Sequence, residues 1–165
     1  MKCLIGSLII AIGAQICIPF IPVPLTLQTL GILFVAAALG ARYGTIAVLM
    51  YFLEGISGIP VFAKFSSGIS VILGPTGGYI IGFILAAYLT SRMIEKSKNK
   101  TFLSIFYAGF AGSVAVLIIG YLHLAHFIGY SAAYTFGIAP FIPGDLSKLI
   151  LFALMVSGKR WKKFI

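Results

Sequence analysis

Acidic residues are nearly absent from this chain. Its 165 residues include 3 Asp and Glu against 12 Lys and Arg, and only 9% of all residues are charged. Soluble domains carry about 25% charged residues, so this chain has too few charges to cover a surface that faces water on all sides. The hydrophobic share of 61% and the mean hydropathy of +1.13 point the same way. These figures exclude a disordered chain and a soluble domain, and they predict an integral membrane protein.

Several signatures of enzymes and binding proteins are also missing. The sequence contains neither the GxxxxGK[ST] pattern of ATP-binding loops nor a GxSxG nucleophile motif. Cys3 and Cys17 lack metal or redox spacing, and His123 and His126 have no acid or cysteine beside them to complete a metal site. We therefore expect no metal and no cofactor. The net charge of +9 does not indicate nucleic acid, because the basic residues lie between apolar runs.

Apolar runs of roughly membrane-spanning length occur six times. One span needs about 20 residues, so six spans and their connections fill residues 1–165 as a single domain. The runs are Lys2–Ile18, Leu25–Ala41, Tyr43–Ser57, Pro75–Ile94, Phe102–Phe127 and Gly144–Ser157. The sequence therefore predicts an all-α integral membrane protein, a compact bundle of six transmembrane helices embedded in the lipid bilayer.

The basic residues favour one orientation of this bundle. Short loops with an excess of Lys and Arg stay in the cytoplasm. With a cytoplasmic N-terminus, Lys64 falls in an outer loop and Lys148 near the outer end of the last run. The other basic residues all fall on the cytoplasmic side: Lys2, Arg42, Arg92, Lys96, Lys98, Lys100, Lys159, Arg160, Lys162 and Lys163. We therefore expect a multi-pass plasma-membrane protein with both termini in the cytoplasm.

The outer connections differ from the cytoplasmic ones. Residues 19–24, 58–74 and 129–143 are rich in Gly, Pro and aromatic residues and carry almost no charge. We expect them to form a lid over the bundle, with insertion into the membrane interface as the alternative. The second, fourth and sixth runs begin on this side, each at a proline. Helix N-termini carry free N–H groups and the positive end of a dipole, so three of them together suit an anion.

Asp145 and Lys148 are the strongest candidates for a functional pair. Their spacing of three places both on one face of a helix. Within a membrane each charge costs about 2.5–3.5 kcal/mol, so such residues face a cavity or each other. The alternative is that Asp145 caps the helix and Lys148 reaches the outer headgroups. The acid Glu95 is expected to pair with Lys96 or Lys98.

Two patterns of small residues each have two interpretations. Gly77 and Gly78 allow the backbone to approach either a ligand or a neighbouring helix. Ser7 and Ala11 form a small-xxx-small pattern, which allows close approach of a partner helix but is common by chance.

Four segments together resemble one known family. They are residues 22–29 (PVPLTLQT), 58–62 (GIPVF), 74–83 (GPTGGYIIGF) and 140–148 (PFIPGDLSK). In this order and spacing the chain resembles the BioY family, the biotin-specific substrate-binding subunits, or S components, of energy-coupling-factor (ECF) transporters. The resemblance implies a six-helix protein that captures biotin from outside and is not an enzyme. It also implies partners that supply the energy, namely an ECF transmembrane coupling subunit and ATPase subunits.

The resemblance also implies roles for individual residues. Asp145 and Lys148 would contact the ligand, and Ser7 and Ala11 would meet the coupling subunit. Further ligand contacts are expected from Tyr79, Thr76, Gly77, Gly78, Gln28, Phe62 and Ser67. A lysine suits the carboxylate of biotin and an aspartate suits its ureido N–H groups. The residue types alone do not decide which end of biotin meets which residue.

The chain departs from the family pattern at two points. Lys64 lies in a run that we expect to be richer in glycine, and Glu54 stands where we expect an aliphatic residue. Other functions therefore stay open. One is an S component for another small anionic vitamin, and another is an intramembrane enzyme that uses Asp145, Lys148 and His123. A third is a structural subunit without a ligand, in which Lys148 only reaches the headgroups.

Overall fold

Helices dominate the computed structural model, which describes residues 1–157. These residues form seven α-helices, one 3-10 turn (Ala63–Phe65) and two short β-strands, β1 (Cys17–Ile18) and β2 (Leu25–Thr26), which pair antiparallel. The helices are α1 (Lys2–Gln15), α2 (Gln28–Ile56), α3 (Ile69–Leu73), α4 (Gly77–Lys96), α5 (Phe102–Ile128), α6 (Tyr130–Gly137) and α7 (Phe141–Val156). The predicted all-α class is confirmed. The sequence does not predict α3 and α6, which lie within the expected outer connections, or the β-ribbon, whose strands lie at the adjoining ends of the first and second predicted runs.

Among the helices described in residues 1–157, α4 and α5 are each long and apolar enough to cross a membrane, and the apolar α2 has 29 residues, which are divided between the two arms described below. Helices α6 and α7 meet the same criterion as a pair, with a bend of 43° between them. Helix α1 is apolar but has only 14 residues. Large apolar side chains are exposed along these helices, among them Leu8, Leu49, Leu85, Ile118 and Leu154. A surface of this kind is stable in lipid and not in water, so the protein is embedded in a membrane.

Helix α2 consists of two arms joined by a sharp reversal. Gly40 has φ of 75° and ψ of 178°, a conformation that glycine adopts far more readily than other residues. A β-carbon on Gly44 would lie 3.0 Å from Cα of Ala36, although eight residues span about 12 Å of a straight helix. The side chains of Gln28 and Tyr51 also form a hydrogen bond, although ~34 Å would separate these residues along one axis. The chain therefore turns back on itself at Gly40.

The two arms correspond to the second and third predicted apolar runs. We call residues 28–39 the first arm and residues 41–56 the second arm. Glu95 stabilises the reversal, because its Oε1 accepts a hydrogen bond of 2.7 Å from the backbone N–H of Ala41 and its Oε2 accepts one of 3.3 Å from Arg92. A carboxylate is favourable at the positive end of a helix. The prediction that Glu95 pairs with Lys96 or Lys98 is therefore wrong.

Helices α4 and α5 pack closely along a row of small residues. Gly78 and Gly82 lie on one face of α4 because they are four positions apart, and the hydroxyl of Thr90 also bonds to α5. A β-carbon on Gly78 would lie 2.8 Å from the carbonyl oxygen of Ile119, and one on Gly82 would lie 3.0 Å from Cα of Val116. In lipid, helices associate through such close van der Waals contact, because no hydrophobic effect drives them together.

Helix α1 packs against both arms of α2. A β-carbon on Gly6 would lie 2.8 Å from Cβ of Ala47 and 3.0 Å from Cγ1 of Val35, so a larger residue would separate the helices. The hydroxyl of Ser7 donates a 3.0 Å hydrogen bond to Oε1 of Glu54, which gives this intramembrane acid a partner. Ser7 is also fully buried inside the bundle. This corrects the prediction that Ser7 lies on a partner-facing surface, whereas Ala11 is half-buried.

The described basic residues are divided between the two ends of the bundle. At one end, a cavity is bordered by the start of α1, the reversal in α2 and the α4–α5 connection, and its lining includes Lys2 and Lys100. At the other end, Lys64 and Lys148 line a second cavity. The basic residues after position 157, which the sequence also places in the cytoplasm, lie outside the described residues.

Two Gly-to-Ala variants test the role of close helix packing. We expect Gly78→Ala to lower the stability by about 1–3 kcal/mol, because the new methyl group would overlap His123 and crowd the backbone at Ile119. Gly144→Ala is the matched control, since a β-carbon at this helical glycine would have no neighbour within 4 Å. It should leave stability unchanged or raise it by up to about 1 kcal/mol. Thermal unfolding in detergent measures both, and equal effects would contradict the packing assignment.

Candidate functional site

A cavity of about 360 Å³ lies where α2, α4 and α7 begin. This volume is within the range of roughly 300–1,000 Å³ that is common for small-molecule sites. Residues from the starts of all three helices line it: Gln28, Thr29, Thr76, Tyr79, Ile80, Phe141, Asp145 and Lys148. The predicted meeting of three helix N-termini is therefore confirmed. The positive ends of three helix dipoles therefore meet at the cavity.

A buried ion pair forms the polar centre of the cavity. Nζ of Lys148 lies 2.8 Å from Oδ1 of Asp145 and donates a 3.0 Å hydrogen bond to Oγ1 of Thr29. The two charged side chains are only 13% and 8% exposed. Among residues 1–157, no hydrogen bond reaches Oδ2 of Asp145. The pair therefore presents an unused carboxylate oxygen and an ammonium side by side, one suited to an N–H donor and the other to an oxygen acceptor.

Aromatic side chains form the apolar wall. The rings of Tyr79 and Phe141 stack with centroids 5.7 Å apart and an interplanar angle of 17°. Phe62 is 1% exposed and meets the ring of Tyr51 edge to face at 5.5 Å. The hydroxyl of Tyr79 donates a 2.8 Å hydrogen bond to the carbonyl oxygen of Gly137, so this residue offers its ring to the cavity while its hydroxyl anchors α6. An apolar wall beside a few polar groups is typical of sites that bind small organic molecules.

Two outer connections cover the cavity. Residues 20–24 line it from one side, and residues of the segment between the second arm of α2 and α4 line it from another. The latter segment is fixed by Gln15, whose Nε2 donates to the carbonyl oxygens of Val61 and Phe62 and whose Oε1 accepts from the N–H of Phe65. Of residues 129–143 only Phe141 lines the cavity. The predicted lid is thus formed by two of the three outer connections.

Most of the predicted ligand contacts lie at this cavity, and three do not. The residues that line it are Asp145, Lys148, Tyr79, Thr76, Gln28 and Phe62. Gly77 and Gly78 pack against protein instead, the first beneath the carbonyl oxygen of Ile72 and the second against His123. The two adjacent glycines therefore allow close packing within the protein rather than contact with a ligand. Ser67 is half-buried and does not line the cavity, whereas its neighbour Ser66 does.

Sequence reasoning missed several lining residues. Thr29 belongs to the quoted segment 22–29 and directly follows Gln28 at the start of α2, so the prediction for Gln28 could have been extended to it. Ser66 and Ser70 lack any local signal, because only the path of the connection brings them to the cavity. Ile80, Phe83 and Val116 lie on helix faces that any packed core could bury. Their position depends on how α4 and α5 pack.

His123 does not belong to the cavity lining. Its Nε2 lies 3.0 Å from the carbonyl oxygen of Gly74, and its ring packs beside Phe127. The histidine therefore fixes the connection between α3 and α4 to α5. In the described part of the chain, no group of three or more His, Cys, Asp or Glu residues is placed to hold a metal ion.

Similarity to known proteins agrees with this arrangement. Residues 1–164 match the BioY family. The biotin transporter BioY of Thermotoga maritima is 40% identical over 156 residues, which cover 94% of this chain and 91% of that protein. The biotin transporter BioY of Rhizobium etli is 34% identical over 166 residues, which cover 94% of this chain and 88% of the relative.

A solved structure matches the fold as well. The S component for biotin from an ECF-type ABC transporter superposes with a TM-score of 0.85 and 30% sequence identity. The match covers 98% of this chain and 88% of the other. Because the family match and the structural match each extend over nearly the whole chain, the protein belongs to the BioY family.

Proposed function

We propose that this chain is the membrane-embedded subunit that captures biotin and delivers it across the membrane with an ATP-driven ECF module. The observation that carries the proposal is the cavity with its buried Asp145–Lys148 pair and its aromatic wall. The BioY transporters that resemble this chain over more than 90% of its length support biotin as the substrate. The protein acts as a transporter subunit and not as an enzyme.

The closeness of the ion pair favours one orientation of biotin. Asp145 and Lys148 are in direct contact, so both meet the same part of an elongated ligand. The ureido ring carries N–H donors beside a carbonyl acceptor, which matches Oδ2 of Asp145 and Nζ of Lys148. The carboxylate of biotin would instead be repelled by Asp145. We therefore assign the ureido ring to the ion pair and the thiophane ring to the wall formed by Tyr79, Phe141 and Phe62.

Two alternatives fit the site less well. Another small anionic vitamin without a ureido-like group would leave Oδ2 of Asp145 without a partner in a buried site, which is unfavourable. An enzyme that combines Asp145, Lys148 and His123 would need these groups in contact with one substrate. His123 is not one of the lining residues and instead contacts the carbonyl oxygen of Gly74, and Oδ1 of Asp145 is already bonded to Lys148.

The proposed membrane arrangement has six spans in one domain. These are α1, the two arms of α2, α4, α5, and α6 with α7. The separation of the basic residues supports cytoplasmic termini, because Lys2 and Lys100 share one end of the bundle while the candidate site lies at the other. The site then faces the outside of the cell, as uptake requires.

The partners in this proposal supply the energy. The matched S component comes from an ECF-type ABC transporter, and this sequence has no ATP-binding loop. We propose a transmembrane coupling subunit and ATPase subunits as partners. Ala11, half-buried on α1, stays a candidate for the contact with the coupling subunit.

Asp145→Asn tests the assignment of the ion pair. We expect at least about tenfold weaker biotin binding, because the variant loses a charge-assisted hydrogen bond and leaves Lys148 without a counter-charge. Isothermal titration calorimetry on the detergent-purified chain measures the dissociation constant. Glu95→Gln is the matched control, because it makes the same chemical change at the other end of the bundle. If both variants bind biotin like the unchanged chain, Asp145 does not contact the ligand.

Cysteine labelling in intact cells tests the proposed orientation. In a background with Cys3 and Cys17 replaced by alanine, a membrane-impermeant maleimide should label Ser57→Cys and not Lys98→Cys. Ser57 follows the second arm of α2 at the proposed outer end, and Lys98 lies in the proposed cytoplasmic connection between α4 and α5. Both sites are exposed, so both should react after the cells are opened. The reverse pattern in intact cells would invert the topology.

A further inference from the structure

Lys64 lies in the cover of the cavity in an unusual backbone conformation. It has φ of 58° and ψ of 35°, and the next residue, Phe65, has φ of 55°. A residue other than glycine is strained in this region, so it persists only where its surroundings hold it. Because Lys64 and Phe65 both have positive φ, other contacts must hold this turn in its conformation. Glycine adopts positive φ without strain, which is a physical reason to expect glycine at these positions.

Gln15 and a β-bridge hold this turn in place. The side-chain amide of Gln15 donates hydrogen bonds of 3.3 Å to Val61 O and 3.1 Å to Phe62 O, and it accepts one of 2.9 Å from Phe65 N. Phe62 also pairs with Ser66 across the turn, through a 3.1 Å hydrogen bond from its N–H. Contacts on both sides of Lys64 therefore fix the backbone that carries it.

The cavity as a whole has an excess of positive charge. Among the described residues that line it, the charged ones are Asp145, Lys148 and Lys64. Asp145 and Lys148 neutralise each other, which leaves the charge of Lys64 unbalanced. Within residues 1–157 Lys64 forms no ion pair, and unlike the buried pair it is exposed. The cavity thus combines a neutral, buried polar centre with a positive charge at its solvent-facing cover.

We propose that Lys64 is a specificity-determining residue, which attracts the carboxylate of the ligand at the mouth of the cavity. This inference rests on the proposed function and extends it to the other end of the ligand. A carboxylate that stays at the mouth keeps part of its hydration, whereas burial beside Asp145 would remove that hydration and add repulsion. Lys64 therefore selects ligands with a negatively charged tail over neutral ones.

Affinities for biotin and for biotinamide, its neutral carboxamide, test this role. Lys64→Gly removes the charge and places a residue at this φ that adopts it without strain, so the variant should fold. We expect it to bind biotin about two- to fivefold more weakly at low ionic strength, as for an ion pair near solvent. Its affinity for biotinamide should stay unchanged, and the loss for biotin should shrink as salt is added.

Two further variants act as controls. Lys64→Arg keeps the charge and should keep the preference for biotin over biotinamide. Lys98→Gly makes the same chemical change at the other end of the bundle, so it should affect neither ligand. The proposal is overturned if Lys64→Gly changes both affinities equally or changes neither, as expected for a lysine that contacts only lipid headgroups. If the unchanged chain binds neither ligand, the proposed function itself fails.

Discussion

The buried contact between Asp145 and Lys148 is the interaction on which the rest of this structure depends. Either charge alone would be unfavourable when buried to this extent, and Thr29 at the start of the neighbouring helix accepts a further hydrogen bond from Lys148. Their contact closes one side of the cavity and leaves Oδ2 of Asp145 available. A ligand that offers N–H and carbonyl groups side by side satisfies this centre without adding net charge to it. Because the pair is already assembled, binding requires little rearrangement of charge.

Close backbone packing gives the cavity its walls. Glycines on α4 allow α5 to approach, and Gly120 and Gly137 leave room for the ring and hydroxyl of Tyr79. The anchored Tyr79 then stacks on Phe141, four residues before Asp145. Small residues far from any ligand therefore determine where the aromatic wall and the ion pair stand. The cover is fixed in a similar way, since Gln15 on α1 holds a turn from a distant part of the chain.

The sequence predicts the elements that have a local signature. Apolar runs marked the helices within a few residues, and the i, i+3 spacing of Asp145 and Lys148 placed both on one face. Local sequence patterns do not predict interactions between distant segments of the chain. The sequence around Gly40 does not show that Glu95 stabilises the reversal in α2. The sequence around Ser7 does not show that its hydroxyl bonds to Glu54. Gly77 and Gly78 allowed ligand contact and helix packing equally, and only the position of α5 decides between the two.

We propose that the cavity recognises the ureido ring of biotin through the Asp145–Lys148 pair. Competition between biotin and lipoate for the purified chain tests it most directly. Lipoate has a similar carboxylate-bearing chain and a sulfur-containing ring, but it lacks the ureido group. We expect biotin to bind and an excess of lipoate not to displace it. Displacement by lipoate at a similar concentration, or no binding of biotin by the folded chain, would contradict recognition of the ureido ring.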